Sequence, residues 1–276
     1  MTTPGRFILN DQVVDALVAG PFESMLRGNY IYESVNTSAH EPLHLELHMR
    51  YAGASYEKLY GVSPDWDSAR MRLLIKKLLH AERMPRLGNI VTIYLLPPEL
   101  PATRPDILVT AGQSTIYKGY ELVSIRSKAL LANYEMPFAG HRTAVSSATS
   151  TYMKRFAAER GCHITLRCNR AGQLVSCGDY PVFVAKDGAV YTPGSNTFPK
   201  CAERELMDEA SRLAAVQIQE SDIQADMLSE ADEIMVFDHT GIHSVLSLGR
   251  CYYYNLMAQR IGAMLAAVTT QGLHNE

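Results

Sequence analysis

The sequence predicts an α+β chain folded in two parts. Three observations carry that prediction. Short β-branched, apolar runs recur along the chain, at residues 89–96 and 232–237 for example. Between them lie stretches with apolar residues three and four apart, as at Met71, Leu74, Ile75, Leu78 and Leu79. The two kinds of element are mixed without strict βαβ alternation, which points to α+β.

In order, residues 7–14 read as a strand with a turn at Asn10-Asp11, and residues 30–35 as a second strand. Residues 48–60 read as a helix stopped by Gly61. Ser63-Pro64 restarts a helix, Ser as N-cap and Pro at the first position, and Met71 to Leu79 form its buried stripe. Residues 89–96 make a strand closed by Pro97-Pro98; residues 107–110 and 116–125 add two more. The irregular stretch 133–140, with Pro137 and Gly140, is the candidate linker. A helix spans 143–161. Strands follow at 164–166, 174–176, 182–185 and 189–191, the last two joined by a tight Lys186-Asp187-Gly188 turn. A helix at 202–216, a strand at 232–237 and a last helix at 250–267 complete the reading. The expected domains are residues 1–125, the smaller, and 126–276.

The chain has 276 residues and a formal net charge of −3, with 47% hydrophobic and 20% charged residues. That balance excludes disorder, collagen and coiled coil. It gives no basic excess to suggest nucleic acid. No apolar run reaches the roughly 18 residues of a membrane span. The opening MTTPGRFILNDQVV lacks the charged-then-apolar pattern of a secretory signal. Five cysteines without paired spacing fit a reduced, cytoplasmic protein.

Several segments together resemble the class IV aminotransferases, the fold-type IV pyridoxal phosphate (PLP) enzymes. Residues 7–14 resemble that family's opening hairpin. Tyr32-Glu33-Ser34-Val35 and Pro42 to His48 resemble its second strand and following helix. Pro137-Phe-Ala-Gly-His-Arg-Thr143 resembles the segment holding the cofactor lysine. Residues 159–193 are the clearest stretch, and Glu230-Ala-Asp-Glu-Ile234 resembles the acidic lead-in to a late strand. The resemblance implies a two-domain α+β fold with its ligand cleft between the domains, and a homodimer.

A PLP aminotransferase needs a lysine for the Schiff base, a carboxylate beside the pyridine nitrogen, and donors for the phosphate. The resemblance sets these on residues that depart from the pattern. The lysine falls on Arg142, which is not a practical Schiff-base former. The glutamate falls on Cys177 in Ser176-Cys177-Gly178. The phosphate arginine falls on Tyr51, with Arg50 one place off. The helix-start Gly-Ile-Thr becomes Lys200-Cys201-Ala202, and the phosphate turn becomes Asp238-His239-Thr240. The joint departure implies that PLP is not used as a cofactor. The alternative keeps PLP through a relocated lysine, Lys128 or Lys118.

An arginine at the old lysine position favours a small anionic ligand: a carboxylate, a phosphate or an acyl group. Cys177 is then a candidate nucleophile, with Arg142 as its cation and His141, His239 or His243 as its base. The plain alternative is a small cysteine filling a space. Arg50, Tyr51, Lys200 and Thr240 are the candidate substrate-binding residues. The chemistry that fits is a PLP-independent lyase or acyl transferase; the other class of reading is a non-catalytic binding or regulatory subunit. His40, His44 and His48 are spaced loosely for zinc, but Pro42 interrupts them, and no metal is expected. Tyr252-Tyr253-Tyr254 opens the expected last helix and reads as packing residues.

Overall fold

Asn10 and Asp11 both take left-handed backbone, with φ of 41° and 70°. That is the geometry of a two-residue hairpin turn. It joins β1 (Arg6–Leu9) to β2 (Gln12–Asp15), with Leu9 opposite Gln12. The computed structural model describes residues 6–15, 28–97 and 104–275, with side chains to residue 269. The chain divides into two units. The first is Met1–Gly119, His141–Ala144 and Gly272–Glu276; the second is Tyr120–Gly140 and Val145–Gln271. The division thus falls after Gly119 rather than after Ile125. The expected linker, 133–140, lies inside the second unit, and it is His141–Ala144 that returns to the first.

The first unit adds β3 (Ile31–Ser38), β4 (Glu41–Pro42), α1 (Leu45–Tyr60), α2 (Ser68–Ala81), β5 (Gly88–Leu96) and β6 (Asp106–Thr115). The sheet runs β2-β1-β6-β5-β3-β4 with antiparallel neighbours. Val35, Val91, Ile93 and Val109 alternate onto one face and pack with Leu45 and Met49 of α1 and with the predicted stripe of α2. Gly61, at φ 72°, ends α1 as its sequence requires.

The expected cap at Ser63 is not the one used. Asp67 precedes α2, and its carboxylate accepts from the Ala69 N–H at 2.9 Å. Pro64 is buried instead; a Cβ added at Gly53 of α1 would lie 3.5 Å from its ring. Short polar side chains at both positions make either a plausible cap, and packing of Pro64 chose the later one. The expected strand at 116–125 shrinks to β7 (Glu121–Leu122). Ile116 and Ile125 are 79% and 73% exposed.

The second unit holds β7, β8 (Ser127–Asn133), α3 (Ala144–Ala158), β9 (Ile164–Cys168), β10 (Leu174–Ser176), β11 (Val182–Lys186) and β12 (Ala189–Pro193). Then come α4 (Ala202–Leu213), β13 (Ile218–Ser221), a 3-10 turn (Ala225–Glu230), β14 (Glu233–Asp238), β15 (Gly241–Leu248), β16 (Cys251–Tyr252) and α5 (Leu256–Asn275). Its mixed sheet runs β10-β9-β8-β15-β14-β11-β12-β13, with β7 and β16 also on β15. Leu166, Val182, Val184, Ile234, Val236 and Val245 supply the core of one face.

Two central strands, β8 and β15, escape the sequence. Ser-Lys-Ala-Leu-Leu-Ala-Asn has no β-branched residue, and its strand character comes from parallel pairing with β9 and β15. The last helix starts six residues late. Glu233, 3% exposed, explains its start: its two carboxylate oxygens accept from the N–H groups of Met257 and Ala258 at 2.7 and 3.0 Å. The tyrosines lie before the helix. Tyr253 is buried and donates to Leu228 O at 2.9 Å, while Tyr252 and Tyr254 are exposed. Among the described residues no helix is long and apolar enough to cross a membrane.

Candidate functional site

In the first unit, segment 141–144 is stitched to β3. The Tyr32 N–H donates to Arg142 O at 2.9 Å, and the Ala144 N–H to Tyr30 O at 3.0 Å. This pairing turns the Arg142 side chain into the unit, where it is 7% exposed. Its guanidinium donates to Glu33 Oε1. His48 of α1 meets the same oxygen through Nδ1 at 2.8 Å, and its side chain is fully buried. Arginine, carboxylate and imidazole therefore form one buried cluster. Glu33 neutralises the charge that the sequence reading reserved for an anion. Glu33 went unrecognised because a strand glutamate gives no sign of its partner 109 residues away.

Tyr51 and Arg50 lie on α1, Arg50 exposed and its guanidinium 5.2 Å from the centre of the Tyr51 ring. His141 Nδ1 meets Ser55 Oγ at 3.0 Å, and burial together with nearby Lys58 lowers its pKa. The three loosely spaced histidines have separate roles. His40 meets Met84 O at 2.9 Å, and His48 joins Glu33. His44 sits at a left-handed N-cap, its pKa lowered to about 4 by burial and then by His48.

In the second unit, Cys177 follows β10 in a turn whose backbone pairs with Tyr180. Burial pushes its thiol up to about 11; Asp238 and Asp179 add to the rise, against a backbone bond near Thr165 and the charge of Lys154. A thiol so shifted is a poor source of thiolate, which counts against the nucleophile expected at this position. The Tyr180 hydroxyl lies 2.6 Å from His239 Nδ1. Thr240 bonds Asp238, and His243 of β15 lies 3.0 Å from the same carboxylate oxygen. So Cys177, His239 and Thr240 share one neighbourhood through Tyr180 and Asp238, while Arg142, Arg50 and Tyr51 belong to the first unit. Lys200 is exposed just ahead of α4. The first turn of α4 carries Glu203 and Glu205, and Glu203 is fully buried.

The comparisons with known proteins bear on this fold. Residues 30–242 match the family described as amino-transferase class IV, and the chain belongs to that family. A hypothetical aminotransferase from Mycobacterium tuberculosis superposes with a TM-score of 0.80 at 13% identity, over 96% of this chain and 99% of that one. A PLP-bound form of the same protein gives 0.80 at 12%. A branched-chain aminotransferase from Thermoproteus uzoniensis, solved with norvaline, gives 0.81 at 15% identity over 97% and 95%. The Escherichia coli branched-chain amino acid aminotransferase gives 0.79 at 14% over 98% and 96%. At such identities the likeness is one of fold. A search of curated proteins by sequence finds no match.

Proposed function

We propose that this chain is a class IV aminotransferase-family protein that acts on or binds a small molecule without a PLP Schiff base. One observation carries the reading: the residue at the family's lysine position is an arginine locked to Glu33 in a buried cluster with His48. Arginine keeps its proton and does not form the imine. The other positions support the same reading. Where the resemblance sets a phosphate turn, the chain has the Asp238 carboxylate. Where it sets a phosphate-binding helix start, the first turn of α4 holds Glu203 and Glu205. The Asp238 carboxylate opposes a phosphate dianion by charge, and at the α4 start Glu203 and Glu205 offset the cations Lys200 and Arg204. The residues present therefore do not fit PLP held in the family's manner. The Asp238 charge turns the ligand away from the anion expected from sequence and toward a neutral or cationic molecule. The homodimer implied by the resemblance is part of this proposal.

A second reading keeps PLP through another lysine. The PLP-bound form of one structural neighbour favours it. Lys128 and Lys118, its candidates, are both exposed. Absorbance with added PLP, before and after borohydride reduction, separates the two. A flat spectrum with no lysine adduct is expected. A visible aldimine band that reduction fixes onto a lysine, located by peptide mapping, overturns the first reading.

A further inference from the structure

The turn between β14 and β15 holds a side-chain group that the Schiff-base argument leaves unused. Asp238 ends β14, Thr240 lies in the turn, and His243 is on β15. Onto Asp238 Oδ1 converge the Thr240 N–H at 2.8 Å, the Thr240 hydroxyl at 2.6 Å and His243 Nε2 at 3.0 Å. His243 Nε2 also lies 2.8 Å from Thr240 Oγ1. Burial alone would raise the Asp238 carboxyl. The His243 hydrogen bond, the charges of His239 and His243, and the Thr240 hydroxyl outweigh it and hold the group well below the usual range.

An ionised carboxylate has no hydrogen to give, so the hydrogen between Asp238 and His243 resides on Nε2. In the neutral ring the lone pair then sits on Nδ1. No described residue bonds that nitrogen, and the His243 side chain is 24% exposed. The ring is braced by its cross-strand neighbour Val236, 3% exposed. A carboxylate behind an imidazole, with the basic nitrogen toward solvent, is how a histidine base is oriented for proton transfer. His239 is engaged separately with Tyr180. Asp179, 7% exposed, lies in the same neighbourhood, where the cations Arg167 and Lys154 also act.

We infer that Asp238, Thr240 and His243 form a proton-accepting ligand site, with His243 Nδ1 as the acceptor and Asp238 and Thr240 as positioning residues. The ligand class is a small molecule that offers a polarised N–H, above all a protonated amine, because the acceptor nitrogen needs a donor and the Asp238 carboxylate behind the ring favours positive charge at it. The ligand class deepens the reading above, but the tautomer rests only on side chains of the second unit. It is measured without PLP, so its failure and that of the Schiff-base argument are distinguishable.

The test is long-range proton–nitrogen correlation on protein with nitrogen-labelled histidine, at a pH of about 8. His243 is expected as a single Nε2–H tautomer whose ring proton is shifted downfield and protected from exchange. Thr240→Ser keeps that signal, Thr240→Val speeds its exchange several-fold, and Asp238→Ala abolishes it. An Nδ1–H tautomer in the wild type, or a signal unchanged in Asp238→Ala, overturns the site; the wild-type result needs no variant to fold. Titration with benzylamine, benzoate and inorganic phosphate then reads the ligand class. Saturable movement of the His243 ring signals with benzylamine alone supports it. Movement with either anion, or with none of the three, overturns it.

Discussion

Both units carry a carboxylate–histidine pair, and burial sets these two apart. Glu33 and His48 have side chains 5% and 0% exposed, and a guanidinium joins them. Asp238 and His243 are 20% and 24% exposed, with a threonine hydroxyl as third member. The residue types are nearly the same. In the first pair the carboxylate meets a guanidinium and an imidazole in a buried setting, so its effect is on stability. In the second the imidazole side chain is 24% exposed, and the proposed effect is on what arrives there. Solvent access, rather than residue identity, separates a structural cluster from a chemical one.

The comparison breaks first at Glu33. Glu33→Gln removes the carboxylate charge that the Arg142 guanidinium and His48 share, and loss of one partner of a buried ion pair costs about 3–5 kcal/mol. Urea denaturation checks it, and a loss below about 1 kcal/mol denies that the cluster holds the first unit together. The next largest effect concerns Cys177. A thiol near 11 rather than 9 has roughly 100-fold less thiolate at a pH of about 8, at tenfold per unit. Iodoacetamide should label Cys177 about that much more slowly in the folded protein than after unfolding; equal rates restore the nucleophile reading.

Asp238 gives a smaller, pH-dependent effect. Its folded carboxyl is depressed, so its contribution is present above the unfolded value of about 4 and is lost as pH falls through the folded one. Wild type should lose about 1–3 kcal/mol between pH 5 and pH 2, on the scale of hydrogen bonds to a charge, in excess of Asp238→Asn. Parallel acid titrations of the two proteins check this, and equal losses rule it out. The smallest effect belongs to the Arg104–Asp65 pair of the first unit, whose side chains are 75% and 71% exposed. Arg104→Ala should change stability by less than about 1 kcal/mol. A larger loss, measured in the same urea series, would mean that exposure does not rank these pairs.

Much of the fold was legible because its signals are local. The α2 stripe, the Gly61 stop, the Asn10-Asp11 turn and the Lys186-Asp187-Gly188 turn each follow from the preferences of a few adjacent residues. The identities of Arg142, Cys177 and Tyr51 at the positions the resemblance assigns are sequence facts, and the loss of PLP built on them belongs to the proposal above. Asp238 was quoted in its turn but given no role, and His243 was only one of three possible bases. Their meaning depends on a hairpin register, Val236 opposite His243, that β15 does not announce.

By itself, then, the sequence determined which groups are present and which family the chain resembles. It also determined most of the helices and hairpins, because backbone preference and apolar periodicity act over a few residues. Only the tertiary structure decided that β8 is a strand, since its partners β9 and β15 are distant in the chain, and only it set β15 between β14 and β8. Only it gave Arg142 to Glu33 and left His243 with an open nitrogen, because charge pairing and desolvation depend on what folding brings within a few ångströms.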